Sequence, residues 1–126
     1  SFNKRTIIPR FHVIQSRNVM PIVNHINGNK SSKIKKTVAS GIAVATPPRL
    51  REITDVVEIS NGSAVAVCDN SILNWQEKLA NTEGIFCEPT SATAFSGLEN
   101  LLEQGTISKD ENVLIPITGT GLKEPL

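Results

Sequence analysis

The stretch "AVAVCDNSILNWQEKLANTEGIFCEPTSATAFSGLENLLEQG", residues 64–105, decides the fold. It opens on "AVAVC" (residues 64–68), a short apolar run without polar alternation, which reads as a strand buried on both faces. A helix follows. Ile72, Trp75, Leu79 and Ala80 fall on one stripe, Asp69, Asn70 or Ser71 can cap the start, and Gly84 can stop the end. "IFCE" (residues 85–88) reads as a second strand. Pro89 then forces extended or turn geometry on Glu88, and Thr90 or Ser91 can cap a helix. That helix gathers Ala94, Phe95, Leu98, Leu101 and Leu102 and stops at Gly105. The unit is strand, helix, strand, helix.

The same alternation extends outward. Upstream, Leu50, Ile53, Val56, Val57 and Ile59 recur at helical spacing, with Pro48 suited to a first turn and Gly62 to the position past the end. "FHVIQ" (residues 11–15) and, downstream, "NVLIPI" (residues 112–117) supply two further strands. Right-handed crossovers make this order an open parallel sheet of about four strands with helices on both faces. The fold class is α/β, with residues 1–126 forming one domain. "NGNKSSKIKK" (residues 27–36) breaks the pattern and reads as a solvated loop.

Bulk properties exclude several functions. With 39% hydrophobic and 20% charged residues, the chain can build a core. With four Phe, one Trp and no Tyr, that core is aliphatic. A net charge of +1 gives no reason to expect nucleic acid or an acidic membrane as partner. The apolar runs are too short to span a bilayer, and no secretory signal is read at the start. Cys68 and Cys87 form no CxxC pair, which points away from a disulfide framework or a zinc site and fits a reducing cytosol. Both are expected buried in adjacent strands as small hydrophobes. His12, within the first strand, and His25, on a helix near a loop, have no Cys, Asp or Glu at ligand spacing, so no metal site is expected.

Ligands in open α/β sheets bind beyond the carboxyl ends of the strands. Three stretches sit there: "DNS", "EPTSA" and "TGTGLKEP". "EPTSA" is either a capped strand-to-helix turn or a place where Glu88 and a helix N-terminus face a ligand. "TGTGLKEP" is not a dinucleotide fingerprint. Glu124 stands where GxGxxG needs its third glycine, and the turn follows the last strand instead of the first. "SFNKR" at the start is similar to the "SFK" around the Schiff-base lysine of some pyridoxal phosphate enzymes, but Asn3 occupies the lysine position, so Lys4 is not read as that lysine.

Taken in order, these segments resemble the C-terminal part of the threonine synthases, fold-type II pyridoxal phosphate enzymes. "PRFHVIQSRNVMPIV", "TVASGIAVATPP", "EGIFCEPTSATAFSGLENLLEQGTIS" and "ITGTGLKEP" each resemble a segment of that family at sensible spacing. The closing "TGxGLK" is the most specific. The "ASGIAV" loop is also similar to that of threonine deaminases and serine racemases. The resemblance implies pyridoxal 5'-phosphate as cofactor. It places the Thr118 hydroxyl at the pyridine nitrogen and lets Gly119 and Gly121 turn the backbone beside the ring. It sets Ala39, Gly41 and Ile42 in a loop near the cofactor, with Glu88 at its edge. Ser40 and Thr120 depart from the acidic residue and histidine that relatives often carry.

The family's SFKDR lysine motif and its glycine-rich phosphate loop are not found in these residues. The resemblance therefore implies the C-terminal half of a cofactor domain, with the lysine-bearing and phosphate-loop parts upstream. No catalytic residue is assigned within the chain. The implied reaction of the whole enzyme converts O-phospho-L-homoserine and water to L-threonine and phosphate, with cysteate synthase or threonine deaminase as relatives of other specificity. The alternative is a free-standing, non-catalytic α/β module binding a ligand or partner. Expected partners are the N-terminal part of the enzyme and an amino-acid substrate. The uncovered apolar edge near Thr118 is expected to drive self-association.

Overall fold

In the computed structural model, residues 7–123 are described, so Lys4 and Glu124 lie outside the described residues. Two strands, β1 (Val13–Ser16) and β2 (Ala64–Val67), pair in parallel, Val13 opposite Ala64 and Ser16 opposite Val67. The helices are α1 (Pro21–Ile26), α2 (Leu50–Ile59), α3 (Asp69–Glu83) and α4 (Pro89–Glu103). Short 3-10 turns lie at Ser40–Ile42 and Gly121–Lys123.

Neighbouring residues of β1 show how helices cover both faces. Side chains of successive strand residues point to opposite sides. The Gln15 side chain accepts the Ile22 and Val23 N–H groups, both at 3.0 Å, and so satisfies two orphan donors at the start of α1. Ile14 points the other way, against α4, where Gly97 leaves no room for a Cβ beside it. The buried face of α4 is built largely from small residues, Ser91, Ala92, Thr93, Ser96 and Gly97, which lets the helix approach the sheet closely. Beyond the sheet, Ile72 and Leu79 of α3 join Ala39, Val67, Cys87 and Ala92 in the core. Burying Ile72 completely contributes about 2–3 kcal/mol. Trp75 stacks on Phe95 at 6.1 Å, donates to Glu99 at 2.7 Å and carries Lys78 over its ring.

Several expectations are corrected. Among the described residues the sheet has two strands, not about four. Residues 85–88 contribute only an isolated antiparallel bridge from Cys87 to Thr120, and residues 112–117 form no ladder. A strand needs a partner to take its backbone groups, Pro116 has no N–H to give, and Leu114 is 92% exposed. Cys68 and Cys87 are therefore not a buried pair in adjacent strands. Cys68 is exposed at the N-cap of α3, and Cys87 alone is buried. His12 lies just before β1, where its Nδ1 accepts the Ser63 N–H at 3.0 Å.

Helix ends also shift. Pro48 precedes α2, which starts at Leu50 with Arg49 as N-cap. Asn61, not Gly62, takes the left-handed conformation after α2, with φ 58°. Gly84 and Gly105 do so after α3 and α4, at φ 66° and 75°. On α2 the stripe is only partly buried: Val57 is inside, while Val56 and Ile59 face solvent. The basic segment 27–36 is exposed along its length, anchored by Lys35 N–H to the Asn18 carbonyl at 2.9 Å.

Candidate functional site

The site forms where the closing turn folds back on the start of α4. The Glu88 N–H donates to the Gly119 carbonyl at 3.1 Å, and the Gly121 N–H donates to Phe86 at 3.0 Å. Residues 86–88 and 119–121 are thus zipped antiparallel around the Cys87–Thr120 bridge. Both glycines lie close against side chains of the facing segment. A Cβ on Gly119 would overlap the Glu88 carboxylate, and one on Gly121 would come within 2.6 Å of the Phe86 ring.

This zipper delivers Thr118 to the first turn of α4. Ser91 is buried there, and its hydroxyl accepts the Thr118 N–H at 3.1 Å. The two hydroxyls, Ser91 Oγ and Thr118 Oγ1, also lie 3.1 Å apart. Thr118 Oγ1 can donate to Glu88 Oε1 at 3.4 Å. That contact is at the outer limit of a hydrogen bond, so the hydroxyl proton is easily redirected. Thr118 itself is exposed and Glu88 half-buried. Ser91 was expected as a possible helix cap. Instead Glu88 is the N-cap, with no capping bond from its side chain, and Ser91 holds the turn.

The second wall is the loop containing Ala39, Gly41 and Ile42. Ala39 is fully buried against Cys87 and Ala92, with Ile42 packed on the same cluster. The Gly41 N–H donates to Thr90 Oγ1 at 3.0 Å, and a Cβ on Gly41 would lie 2.9 Å from that oxygen. Thr118, Gly119 and Glu88 are thus brought together, and Ala39, Gly41 and Ile42 abut the same helix start. Burial pushes the Cys87 thiol up from its ordinary pKa, which keeps it protonated and unreactive.

Elsewhere, burial and then Arg10 hold the His12 pKa down, partly offset by Glu111. A cleft of about 270 Å³ lies beside α1 and α2, lined by residues including Met20, His25, Ile34 and Leu50; none of the candidate residues lines it. Among the described residues no group of three His, Cys, Asp or Glu could hold a metal ion, and no helix is long and apolar enough to cross a membrane.

The donor set suits a pyridine ring. A hydroxyl that receives one hydrogen bond from a neighbouring hydroxyl can pass its own proton toward a ring nitrogen without imposing a full positive charge there. The exposed Thr118 hydroxyl, 3.1 Å from Ser91 Oγ, can take that arrangement with Ser91 as the donor. Asp69, expected as a possible helix cap within the strand-end stretch "DNS", accepts hydrogen bonds from the start of the loop 37–42. Its position at a strand end was the available signal.

Residues 1–119 match the family described as pyridoxal-phosphate dependent enzyme. The threonine synthase of Methanocaldococcus jannaschii is 37% identical over 122 residues, covering 94% of this chain and 30% of that protein. The threonine synthase of Methanosarcina acetivorans is 34% identical over the same shares. That of Halalkalibacterium halodurans is 30% identical, covering 97% of this chain and 33% of its own length. The chain thus spans about a third of the length of these relatives.

Proposed function

This chain belongs to the pyridoxal-phosphate dependent enzyme family, and we propose that it is the C-terminal part of a threonine synthase. The enzyme would convert O-phospho-L-homoserine and water to L-threonine and phosphate. Bound pyridoxal 5'-phosphate supplies the electron sink for such chemistry. The observation that carries the reading is the Ser91–Thr118 hydroxyl pair at 3.1 Å on the closing "TGTGLK" turn.

The residues of this chain have separable tasks in that reading. Thr118 Oγ1 would turn its hydrogen bond from Glu88 to the ring nitrogen and keep its proton, with Ser91 as donor to Thr118 Oγ1. A neutral hydroxyl does not hold the nitrogen protonated as a carboxylate would, which keeps the ring a milder sink and favours elimination and replacement at the substrate side chain. Gly119 keeps the backbone close enough for the turn to stay zipped to Glu88. Gly41 and Ile42 present a small, largely apolar wall to the cofactor edge, with the buried Ala39 supporting them from behind. The lysine that holds the cofactor and the backbone donors for its phosphate belong, in this reading, to the upstream part. The isolated chain is then inactive, and the upstream part is its natural partner.

The test is co-expression with the upstream two-thirds of a threonine synthase such as the Methanocaldococcus jannaschii relative. The expected result is a purified complex with cofactor absorbance that releases phosphate from O-phospho-L-homoserine. A complex that binds cofactor but releases no phosphate would defeat the substrate assignment, and failure to form any complex would defeat the reading as a threonine synthase part.

A further inference from the structure

We infer that Asp69 is a positioning residue for the cofactor-facing loop, fixing residues 37–42 against the start of α4. The inference rests on the reading of Ala39, Gly41 and Ile42 proposed above.

Asp69 is the first residue of α3, two positions past the end of β2. The N-cap of that helix is Cys68, and the Asp69 carboxylate is engaged by residues outside the helix. Oδ1 accepts the Thr37 hydroxyl at 2.7 Å and the Ser16 hydroxyl at 3.1 Å. Oδ2 accepts the Val38 N–H at 2.9 Å and lies 3.5 Å from the Asn18 amide nitrogen. The Thr37 hydroxyl in turn accepts the Ala39 N–H at 3.2 Å. One carboxylate therefore joins the carboxyl end of β1, the residue run after β2 and the start of the loop.

The far end of the loop is held separately, by the Gly41 N–H on Thr90. Ala39 sits between these anchors, buried in one core cluster with Cys87 and Ala92. Removing Asp69 releases the first anchor and leaves the turn zipper of residues 86–88 and 119–121 intact. The chemistry also predicts a graded response. Backbone N–H groups only donate, whereas the Thr37 and Ser16 hydroxyls can reverse and accept. Asparagine can keep its carbonyl on Val38 and offer its NH2 to the hydroxyls. Alanine keeps neither.

The test pairs amide hydrogen exchange in the chain with cofactor titration of the complex formed with an upstream threonine synthase part. Asp69→Ala should speed exchange at Val38 and Ala39 about tenfold or more, the scale of losing hydrogen bonds to a charged group. Exchange at Glu88 and Gly121 should stay at the wild-type rate. Asp69→Asn should lie between. In the complex, pyridoxal phosphate affinity should fall in the same order, Asp, Asn, Ala. Unchanged loop exchange would overturn the inference, as would a loosened loop with unchanged cofactor affinity. A wild-type complex that binds no cofactor would defeat the functional reading, while the exchange arm would still report whether Asp69 holds the loop. If Asp69→Ala does not fold, Thr37→Val removes one of the same bonds, and unchanged exchange at Val38 and Ala39 would then overturn the inference.

Discussion

Gly62→Ala should cost about three times as much stability as Gly84→Ala, because the two glycines are required for different reasons. Gly84 has φ 66° and nothing within 4 Å of an added Cβ. Alanine there meets only the left-handed backbone penalty of about 1 kcal/mol. Gly62 is limited by space instead. Its added Cβ would overlap the Phe11 carbonyl oxygen and lie 2.7 Å from the carbonyl carbon. Ordinary carbon contacts begin near roughly 3.5 Å, so the two segments must part by roughly an ångström. Three hydrogen bonds cross that seam: Phe11 N–H to Ser60 Oγ at 2.9 Å, Ser63 N–H to His12 Nδ1 at 3.0 Å, and Val13 N–H to the Ser63 carbonyl at 2.9 Å. At about 1 kcal/mol net for each bond, the loss is about 3 kcal/mol. Urea titration followed by far-ultraviolet circular dichroism reads both variants. Equal midpoints for the two would refute the argument that close approach of residues 11–13 dictates Gly62.

Ile72→Ala empties a completely buried position and should cost about 2–5 kcal/mol, visible in the same titration. Thr118→Val should weaken cofactor binding to the assembled enzyme by about 1 kcal/mol, the net worth of one hydrogen bond, with unfolding of the chain changed less. Unaltered affinity would remove Thr118 from the site. Stability should fall on acidification from pH 8 toward pH 5. The folded His12 pKa lies below its unfolded value, so the unfolded chain binds the extra proton first and stability is lost as pH falls through that interval. A further loss should follow at lower pH, where Glu111 has its pKa lowered, first by the Ser108 N–H and then by Arg10. His12→Asn should flatten the upper step, and an unchanged pH dependence in that variant would contradict the assignment. Sedimentation at micromolar concentration should show dimers or larger species, because Leu114 and Leu122 are 92% and 84% exposed. A strict monomer would exclude this edge as adhesive.

The helices were legible because their signals are local. Gly84 and Gly105 end α3 and α4 where the pattern places them, and Ile72 and Leu79 are buried on the expected stripe. The strands at residues 85–88 and 112–117 were misread because apolar composition reports a wish for burial, not the presence of a neighbouring ladder. In "VLIPI" all but the half-buried Ile115 stay exposed and no ladder forms. The roles of Ser91 and Asp69 were hidden for another reason. Both stand where a helix cap is expected, and a cap and a tertiary anchor use the same short polar side chains. Only the fold shows that Ser91 faces Thr118, 27 residues away, and that Asp69 faces Thr37, 32 residues away. The meeting of Glu88 with Thr118 was readable from their expected positions at strand ends, although neither strand forms.

The parallel pairing of β1 with β2 also fixes an order of assembly. Val13 finds Ala64 only after about fifty intervening residues have closed into a loop, an entropic cost met before any ladder bond repays it. The α3–α4 pair has a connection of only a few residues and can collapse on itself first. We expect β1 to dock late onto a preformed α3–α4 nucleus, with Ile14 sliding against Gly97 as the closing step. Ile14→Val should then speed unfolding and leave the folding rate nearly unchanged, whereas Leu101→Ala should slow folding. The reverse pattern in stopped-flow traces would mean that the sheet forms before the helices that cover it.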